Sequence, residues 1–324
     1  MIDLIIPAYN AEDTIGRALG SIVGQTKSRK FLVTVVDDGS TDCTTAVVNK
    51  FKGLLPLQYI KLEKNLGKPG LVRNEGIKRT SCPYIMFLDS DDILAPLAGE
   101  VLSRAVTQNT PDIIIGAFLG EEEKPSEKDQ YKFFGEGSVT WLHGNVYKRE
   151  FLEQNQIAFD DRLNEDGSFN LKCLNLTNNI KYIKEPVAYW LNNSKSLTRS
   201  DDNFMLKISK DYIETYTDAI EFILNKAPNR AKEKDFKHIC AYKLGEFCEF
   251  IEANFYNNKE TEELLTLLKR YITIINSYEI IDKDFIRSSN ERYNMSCVFV
   301  GIIKTHNMLF YFDYIGINYK GVFK

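Results

Sequence analysis

Residues 84–92 read YIMFLDSDD, five mostly apolar residues running straight into four positions of which three are aspartates. The run Tyr84–Leu88 has the length and composition of a buried strand. Asp89, Asp91 and Asp92 then crowd three carboxylates at its end. Their repulsion and desolvation are costly unless a cation or hydrogen-bond donors compensate. Something positive belongs at that strand end.

Outward from this strand, apolar runs alternate with helical spacing. DLIIPAYN (3–10) reads as a strand, and Ala11–Gln25 as a helix with Ile15, Ala18, Leu19 and Ile22 on one face. FLVTVVDDGS (31–40) is a second strand, followed by a helix that Ser40, Thr41 or Asp42 can cap. LQYIKL (57–62) is a third strand, Lys68–Arg79 a helix, and PDIIIGAF (111–118) a strand beyond the acidic one. This alternation predicts a parallel sheet with right-handed crossovers. Residues 119–137 are charged and read as a loop or exposed hairpin, while 141–156 and 164–176 read as two helices. IKYIKEPVAYWL (180–191) reads as two strands hinged near Glu185-Pro186.

From Phe204 onward the alternation stops. Ile213, Tyr216, Ile220, Ile223 and Leu224 form one helical stripe, Cys240, Leu244, Phe247, Cys248 and Ile251 a second, and Leu264, Leu268, Tyr271 and Ile275 a third. The expected organisation is a catalytic domain over residues 1–203 and a smaller helical domain over 204–324.

Composition narrows the function classes. A net charge of −4 over 324 residues argues against general nucleic-acid binding, which favours a basic face. Six scattered cysteines without a C-x-x-C pair, and three histidines, give a structural zinc site little support and fit reduced thiols in the cytoplasm. MIDLIIPAYN lacks the basic and long apolar regions of a signal peptide, and no apolar run approaches a membrane span. The expected protein is soluble and cytoplasmic, with peripheral contact at the inner face of the membrane as its closest approach to lipid.

In an open parallel sheet, ligands bind beyond the carboxyl ends of the strands. The first strand ends in Pro7-Ala8-Tyr9-Asn10, the second in Asp37-Asp38-Gly39-Ser40, the fourth in Asp89-Ser90-Asp91-Asp92. Asn65 and Arg73 bracket the start of the helix after the third strand and can reach the same edge. A single Asp after a strand is ordinarily a turn former or helix cap. Three polar strand ends on one edge exceed what capping explains. NLGKPGLVRN (65–74) is not a phosphate loop, because it lacks G-K-[ST] and its glycine spacing is wrong.

These segments, with IIPAYNAEDTIGRALGSIVGQT (5–26), VVDDGSTD (35–42), HGNVYKREFL (143–152), EDGSFNLKCL (165–174) and PVAYWLNNSKSLTR (186–199), resemble the family 2 inverting glycosyltransferases over about residues 1–200. The resemblance implies a GT-A fold: a Rossmann-like, mostly parallel sheet flanked by helices. It implies transfer from a UDP-sugar, with Mn²⁺ or Mg²⁺ as cofactor. Pro7, Ala8 and Tyr9 would then hold the uracil, Tyr9 by stacking, with Asn10 and Ser90 at the same nucleotide-sugar site. Asp38 would accept from the uracil N3–H, and Asn65 and Arg73 would complete the base and diphosphate contacts. Asp89 would bind the ribose or a metal-bound water, Asp91 would ligate the metal, and Asp166 would be the catalytic base. Ser194–Arg199 matches a loop that closes over the diphosphate in the family.

Carboxylates suit a hard divalent cation that neutralises a diphosphate leaving group. Inversion needs one base on the opposite face, to take the acceptor hydroxyl proton. His143 can touch the metal or diphosphate, or sit packed and hydrogen-bonded; Glu165 can share the base role or orient Asp166. Trp141 and Trp190 can line an acceptor groove or fill the core.

By the same resemblance the acceptor is a glycan or glycopolymer, including lipid-linked forms: capsule, exopolysaccharide, lipo-oligosaccharide or wall teichoic acid. The helical domain would bind acceptor or make a homo-oligomer, and the aromatic stretch 308–319 would pack on it, join an oligomer interface or rest on a membrane. Two other classes compete: a catalytically inactive sugar-nucleotide-binding module, and a nucleotidyltransferase. The first sits poorly with intact Asp91 and Asp166, the second with the absence of a Gly-rich phosphate loop near the N-terminus.

Overall fold

The structure is a computed structural model that describes residues 1–25, 30–122, 130–135, 141–193, 204–253 and 258–280. Ser194–Arg199 and the aromatic stretch 308–319 lie outside the described residues. The chain divides into two units, residues 1–200 and 201–324.

In the first unit, β1 (Ile2–Ala8) is buried along nearly its whole length, as the apolar residues Ile2, Leu4, Ile5 and Ile6 require of a central strand. It pairs in parallel with β2 (Phe31–Asp37) on one side and β4 (Tyr84–Phe87) on the other, and β2 pairs in parallel with β3 (Leu57–Lys61). Ala8 lies opposite Asp37, and Asp37 opposite Lys61, so these strand ends share one edge. The spatial order β3-β2-β1-β4 reverses direction between β1 and β4. That switch point opens a crevice beyond the carboxyl ends of β1 and β4. The stretch 84–92 delivers its aspartates there.

Around this sheet lie α1 (Ile15–Val23), which buries Ile15, Ala18, Leu19 and Ile22, α2 (Thr44–Asn49) and α3 (Pro69–Lys78). Pro69 sits in the first turn of α3, where a missing N–H costs nothing.

Beyond β4 the sheet turns mixed. A short β5 (Ile93–Leu94) and α4 (Ala98–Ala105) precede β6 (Ile113–Glu121), and β7 (Tyr131–Phe134) returns antiparallel along β6 as a hairpin. Two expectations need correction. Residues 141–156 are not one helix: β8 (Asn145–Lys148) runs antiparallel between β4 and β6, and only α5 (Arg149–Asn155) is helical. Val146 and Tyr147 are buried on both faces of the sheet, so no period-two pattern marked them as a strand. Residues 180–190 form one strand, β9, parallel to β6, and register shifts at Gly116–Phe118 absorb Pro186. Between β8 and β9 stands α6 (Glu165–Asn175), anchored by the fully buried Phe169 and Cys173.

The second unit contains α7 (Phe204–Lys207), α8 (Ser209–Lys226), α9 (Lys234–Ala253) and α10 (Asn258–Ser277). Every residue of the three helical stripes is buried. Lys243 is buried with them: its Nζ donates to Tyr212 Oη (2.7 Å) and Glu246 Oε2 (2.8 Å), 3.6 Å from the Tyr216 ring centroid. Ionic and cation–π partners together keep that ammonium from being an unpaired buried charge.

Candidate functional site

The crevice edge begins at Tyr9 and Asn10. Asn10 adopts φ 47°, a left-handed conformation that asparagine tolerates. Its N–H donates to Ser40 Oγ (2.9 Å) and its Oδ1 accepts from the Thr41 N–H (2.9 Å), which ties the end of β1 to the end of β2. Tyr9 is 53% exposed at the lip, its ring free to stack on a planar ligand; Ala8 is buried beneath it and Pro7 half-buried. Asp38 is buried and accepts from the Leu66 N–H (2.7 Å) and the Gly67 N–H (3.1 Å), so it holds the loop that carries the exposed Asn65. Gly39, at φ +76°, lies against the Asn65 backbone.

Across the crevice, the acids after β4 have different environments. Asp89 Oδ1 accepts from Arg73 Nη2 at 2.6 Å. Burial acts to raise its pKa, but the Arg73 and His143 charges hold it below the usual carboxylate range. Burial and the neighbouring Asp89 push Asp91 up, although Asn193 Nδ2 donates to its Oδ2 at 2.8 Å. Ser90 stands half-buried between them.

Asp92, which had no separate role in the sequence reading, is a structural acid. It accepts from the Leu191 N–H (2.9 Å) and from His143 Nε2 (3.0 Å), and burial pushes its pKa up to about 6. Burial acts to lower His143, yet the Asp92 carboxylate overrides it and raises the imidazole. His143 is therefore packed and hydrogen-bonded, among Phe118 (5.1 Å), Trp190 (5.7 Å) and Trp141 (5.9 Å) between ring centroids.

Asp89, Asp92 and His143 can bring ligand atoms within 4.8 Å of one another. This oxygen-rich set fits a hard or borderline divalent ion. It shares Asp89 with the pair expected from the sequence and has Asp92 and His143 where that pair has Asp91. His143 Nδ1 is buried without a hydrogen-bond partner, the kind of orphaned atom an ion or water satisfies. A cavity of about 10 Å³ beside Asp89, His143 and Gly144 has room for one such particle.

The third wall is the N-terminus of α6. Asp166 is half-buried in the first turn, and its Oδ1 accepts from the Gly167 N–H at 2.8 Å. Burial raises its pKa against the opposing charge of Arg73. Glu165, buried beside it, accepts from Arg73 Nη1 at 2.6 Å. Burial raises its pKa too, with Arg73 opposing. Arg73 thus faces acids on two sides, Asp89 and Glu165. The sequence placed Arg73 at the correct edge but could not show these partners, since no local pattern links residues 73, 89 and 165. Asn193 likewise carried no signal of its contact with Asp91.

The arrangement joins an exposed aromatic lip, a cluster of acids suited to a cation, and a carboxylate of raised proton affinity. Comparison with known proteins fits this geometry. The family description Glycosyl transferase family 2 matches residues 3–164. The poly(ribitol-phosphate) beta-N-acetylglucosaminyltransferase TarP of Staphylococcus aureus is 26% identical over 300 residues, covering 85% of this chain and 88% of TarP. TarS of the same species, another poly(ribitol-phosphate) beta-N-acetylglucosaminyltransferase, is 28% identical over 199 residues, 58% of this chain. The matched region spans 35% of the length of TarS. The crystal structure of S. aureus TarS 1-349 in complex with UDP-GlcNAc superposes with TM-score 0.67 at 23% identity, covering 88% of this chain and 83% of that one, and shows the shared fold. A family match spanning half of the chain settles the family: the chain belongs to the family 2 glycosyltransferases.

Proposed function

We propose that the protein transfers a hexose or N-acetylhexosamine, with inversion, from a UDP-sugar to a hydroxyl of a cell-surface glycan or glycopolymer. The observation that carries this reading is the convergence of the ends of β1, β2 and β4 with the first turn of α6 on one crevice, reported by the contacts of Arg73 with Asp89 and Glu165. Tyr9, with Pro7, Ala8 and Asn10, holds the uracil face, and Asp38 and Asn65 shape its edge. Asp89 and Asp91 would hold Mn²⁺ or Mg²⁺. A divalent cation there supplies neutralisation of the diphosphate leaving group. Asp166 takes the proton of the acceptor hydroxyl as that oxygen attacks the anomeric carbon, and Ser90 lines the donor side. Glu165, committed to Arg73, is not free to act as the base.

TarS and TarP, which are named for transfer to poly(ribitol-phosphate), support a phosphate-bearing glycopolymer as acceptor here. Lipid-linked forms of that acceptor fit equally. No helix among the described residues is long and apolar enough to cross a membrane. The helical unit serves acceptor binding or self-association. A chain ending at Asp202 is then expected to bind UDP but to lose polymer transfer or change its oligomeric size. Retention of both wild-type size and wild-type transfer would refute this role.

The donor and metal assignments are tested by a panel of UDP-sugars with Mn²⁺, read by thermal shift and by UDP release. UDP alone is expected to raise Tm only slightly, because its phosphates meet Asp89 and Asp91. With Mn²⁺ the shift grows, corresponding to about 2.7 kcal/mol once ligand is 100-fold above Kd. A UDP-induced shift that survives excess EDTA unchanged removes the metal role from Asp89 and Asp91.

A further inference from the structure

Alternation along β7 and β9 sorts their aromatic residues onto two faces of the sheet. Phe134 and Trp190 join Phe118 on the face that carries His143, with Phe134 stacked on Phe118 at 4.6 Å between ring centroids. Tyr131, Phe133 and Tyr189 take the other face. The register lines up Ile93, Tyr189, Leu119 and Phe133 in one row across β5, β9, β6 and β7, and Tyr131 stands in the next row. Phe133 is 54% exposed and Tyr131 40%, so this row is not core. Exposed aromatic residues gathered on one face mark a contact surface.

Tyr131 and Tyr189 meet edge to face, 5.2 Å between centroids, and form one side of a groove of about 480 Å³. Ile93, Pro96, Ser21 and Gln25 line it as well. The α1 side is fixed by hydrogen bonds. Ser21 Oγ accepts from the Leu94 N–H (3.0 Å), Gln25 Nε2 donates to Ala95 O (2.8 Å), and Gln25 Oε1 accepts from the Gly99 N–H (2.9 Å). Those polar groups are spent on the protein itself. Among the described residues neither tyrosine hydroxyl has a hydrogen-bond partner. The groove adjoins the acidic loop: Ile93 follows directly on Asp92, and Arg17 of α1 donates from Nη2 to Asp91 O at 3.1 Å.

We propose that this groove is a secondary glycan subsite, which takes a neutral pyranose unit of the acceptor away from the reacting hydroxyl. None of the residues lining it carries a charge, so a phosphate finds no counter-ion there. A pyranose has apolar C–H faces and a rim of hydroxyls, which match a tyrosine ring and its free hydroxyl. The volume lies in the range of small-ligand sites, and the lining is mostly apolar with a few polar groups, as in such sites. That the sugar belongs to an acceptor rests on the transferase reading above. Such a subsite keeps a polymer close between transfers and raises its local concentration without touching the chemistry.

The test is ligand-observed NMR with cellotetraose and chitotetraose, run with UDP and Mn²⁺ saturating so that the donor crevice is filled. Wild type is expected to bind at least one of them. Tyr131→Phe should keep most of that affinity, while Tyr131→Ala and Tyr131→Leu should weaken it by about five- to tenfold, the worth of one aromatic contact. Leucine keeps apolar cover on the strand, so it separates loss of the ring from loss of the fold. With the polymer that wild type glycosylates, acceptor KM should rise by a similar factor in both variants, with kcat and the KM for UDP-sugar unchanged. The proposal is overturned if neither sugar binds, if both variants bind as wild type does, or if acceptor KM does not move. It is overturned too if sugar-free poly(ribitol-phosphate) shows the same dependence on Tyr131. A particle size that changes in light scattering when Tyr131 is replaced would assign the face to self-association. Failure of both variants to fold would assign it to the core, and either result sinks the subsite. Tyr131-dependent sugar binding by a protein that releases UDP from no UDP-sugar would defeat the transferase reading and leave the sugar site standing.

Discussion

Asp166→Asn is expected to bind UDP and Mn²⁺ as wild type does, while transfer falls by on the order of 10²–10⁴, the range for loss of a general base. Asparagine keeps the side-chain oxygen that accepts from the Gly167 N–H, and it is tolerated at the start of a helix about as well as aspartate. It cannot take up a proton at neutral pH. Stability should move the opposite way. Burial raises the pKa of Asp166 above its unfolded value, so the folded state favours the protonated form. Below the ordinary carboxylate range both states are protonated and the side chain carries no penalty. As pH rises toward and through the raised folded pKa, the unfolded chain ionises first and stability is lost. Asp166→Asn removes that loss, so its Tm should exceed that of wild type at neutral pH, and the gain should vanish on acidification. The acid limb of the wild-type kcat profile, set above the usual carboxylate range, should disappear with it. Near wild-type transfer in the purified variant would move the base elsewhere, and an unchanged acid limb would assign that limb to another group.

The largest effect on stability is expected for Gly144→Ala. Gly144 has φ +77°, and a Cβ there would lie 2.6 Å from Gly116 O and 3.0 Å from Val187 Cγ2. The first contact is backbone, in a place where Gly116 N–H donates to Gly144 O at 3.2 Å, so it has little freedom to yield. Left-handed strain and overpacking together should cost about 2–4 kcal/mol. The damage falls beside His143 and so on the wall that carries Asp89 and Asp92. The chain's two tryptophans, Trp141 and Trp190, have ring centroids 5.0 Å apart in this cluster, and their fluorescence reports it directly. Urea unfolding followed by tryptophan emission should show a clearly lowered midpoint. Gly20→Ala, on α1 with nothing within 4 Å of the added Cβ, is the control and should stabilise by up to about 1 kcal/mol. Equal midpoints for Gly144→Ala and wild type would show that the β8 edge relaxes freely and that Gly144 is not needed for its conformation.

Much of this protein was legible in the chain because its signals are local. The apolar runs of β1, β2, β3 and β4, the Ile15–Ala18–Leu19–Ile22 face of α1 and the three stripes of the helical unit follow from periodicity, since one buried face imposes its spacing on nearby residues. The gathering of Asn10, Asp38 and Asp89 on one edge also followed, because parallel strands with helical crossovers align their carboxyl ends. Residues 141–156 misled for the same reason: a four-residue strand buried on both faces has no alternation, and it runs straight into a real helix. Only the tertiary structure could decide how the acids are used. Asp92 is spent on the Leu191 N–H, 99 residues away, and Arg73 bridges Asp89 and Glu165 across sequence separations of 16 and 92 residues. A sequence fixes which side chains reach a sheet edge through short-range sterics and burial. Which carboxylate meets a donor, which meets a cation and which keeps a proton depends on packing between distant segments.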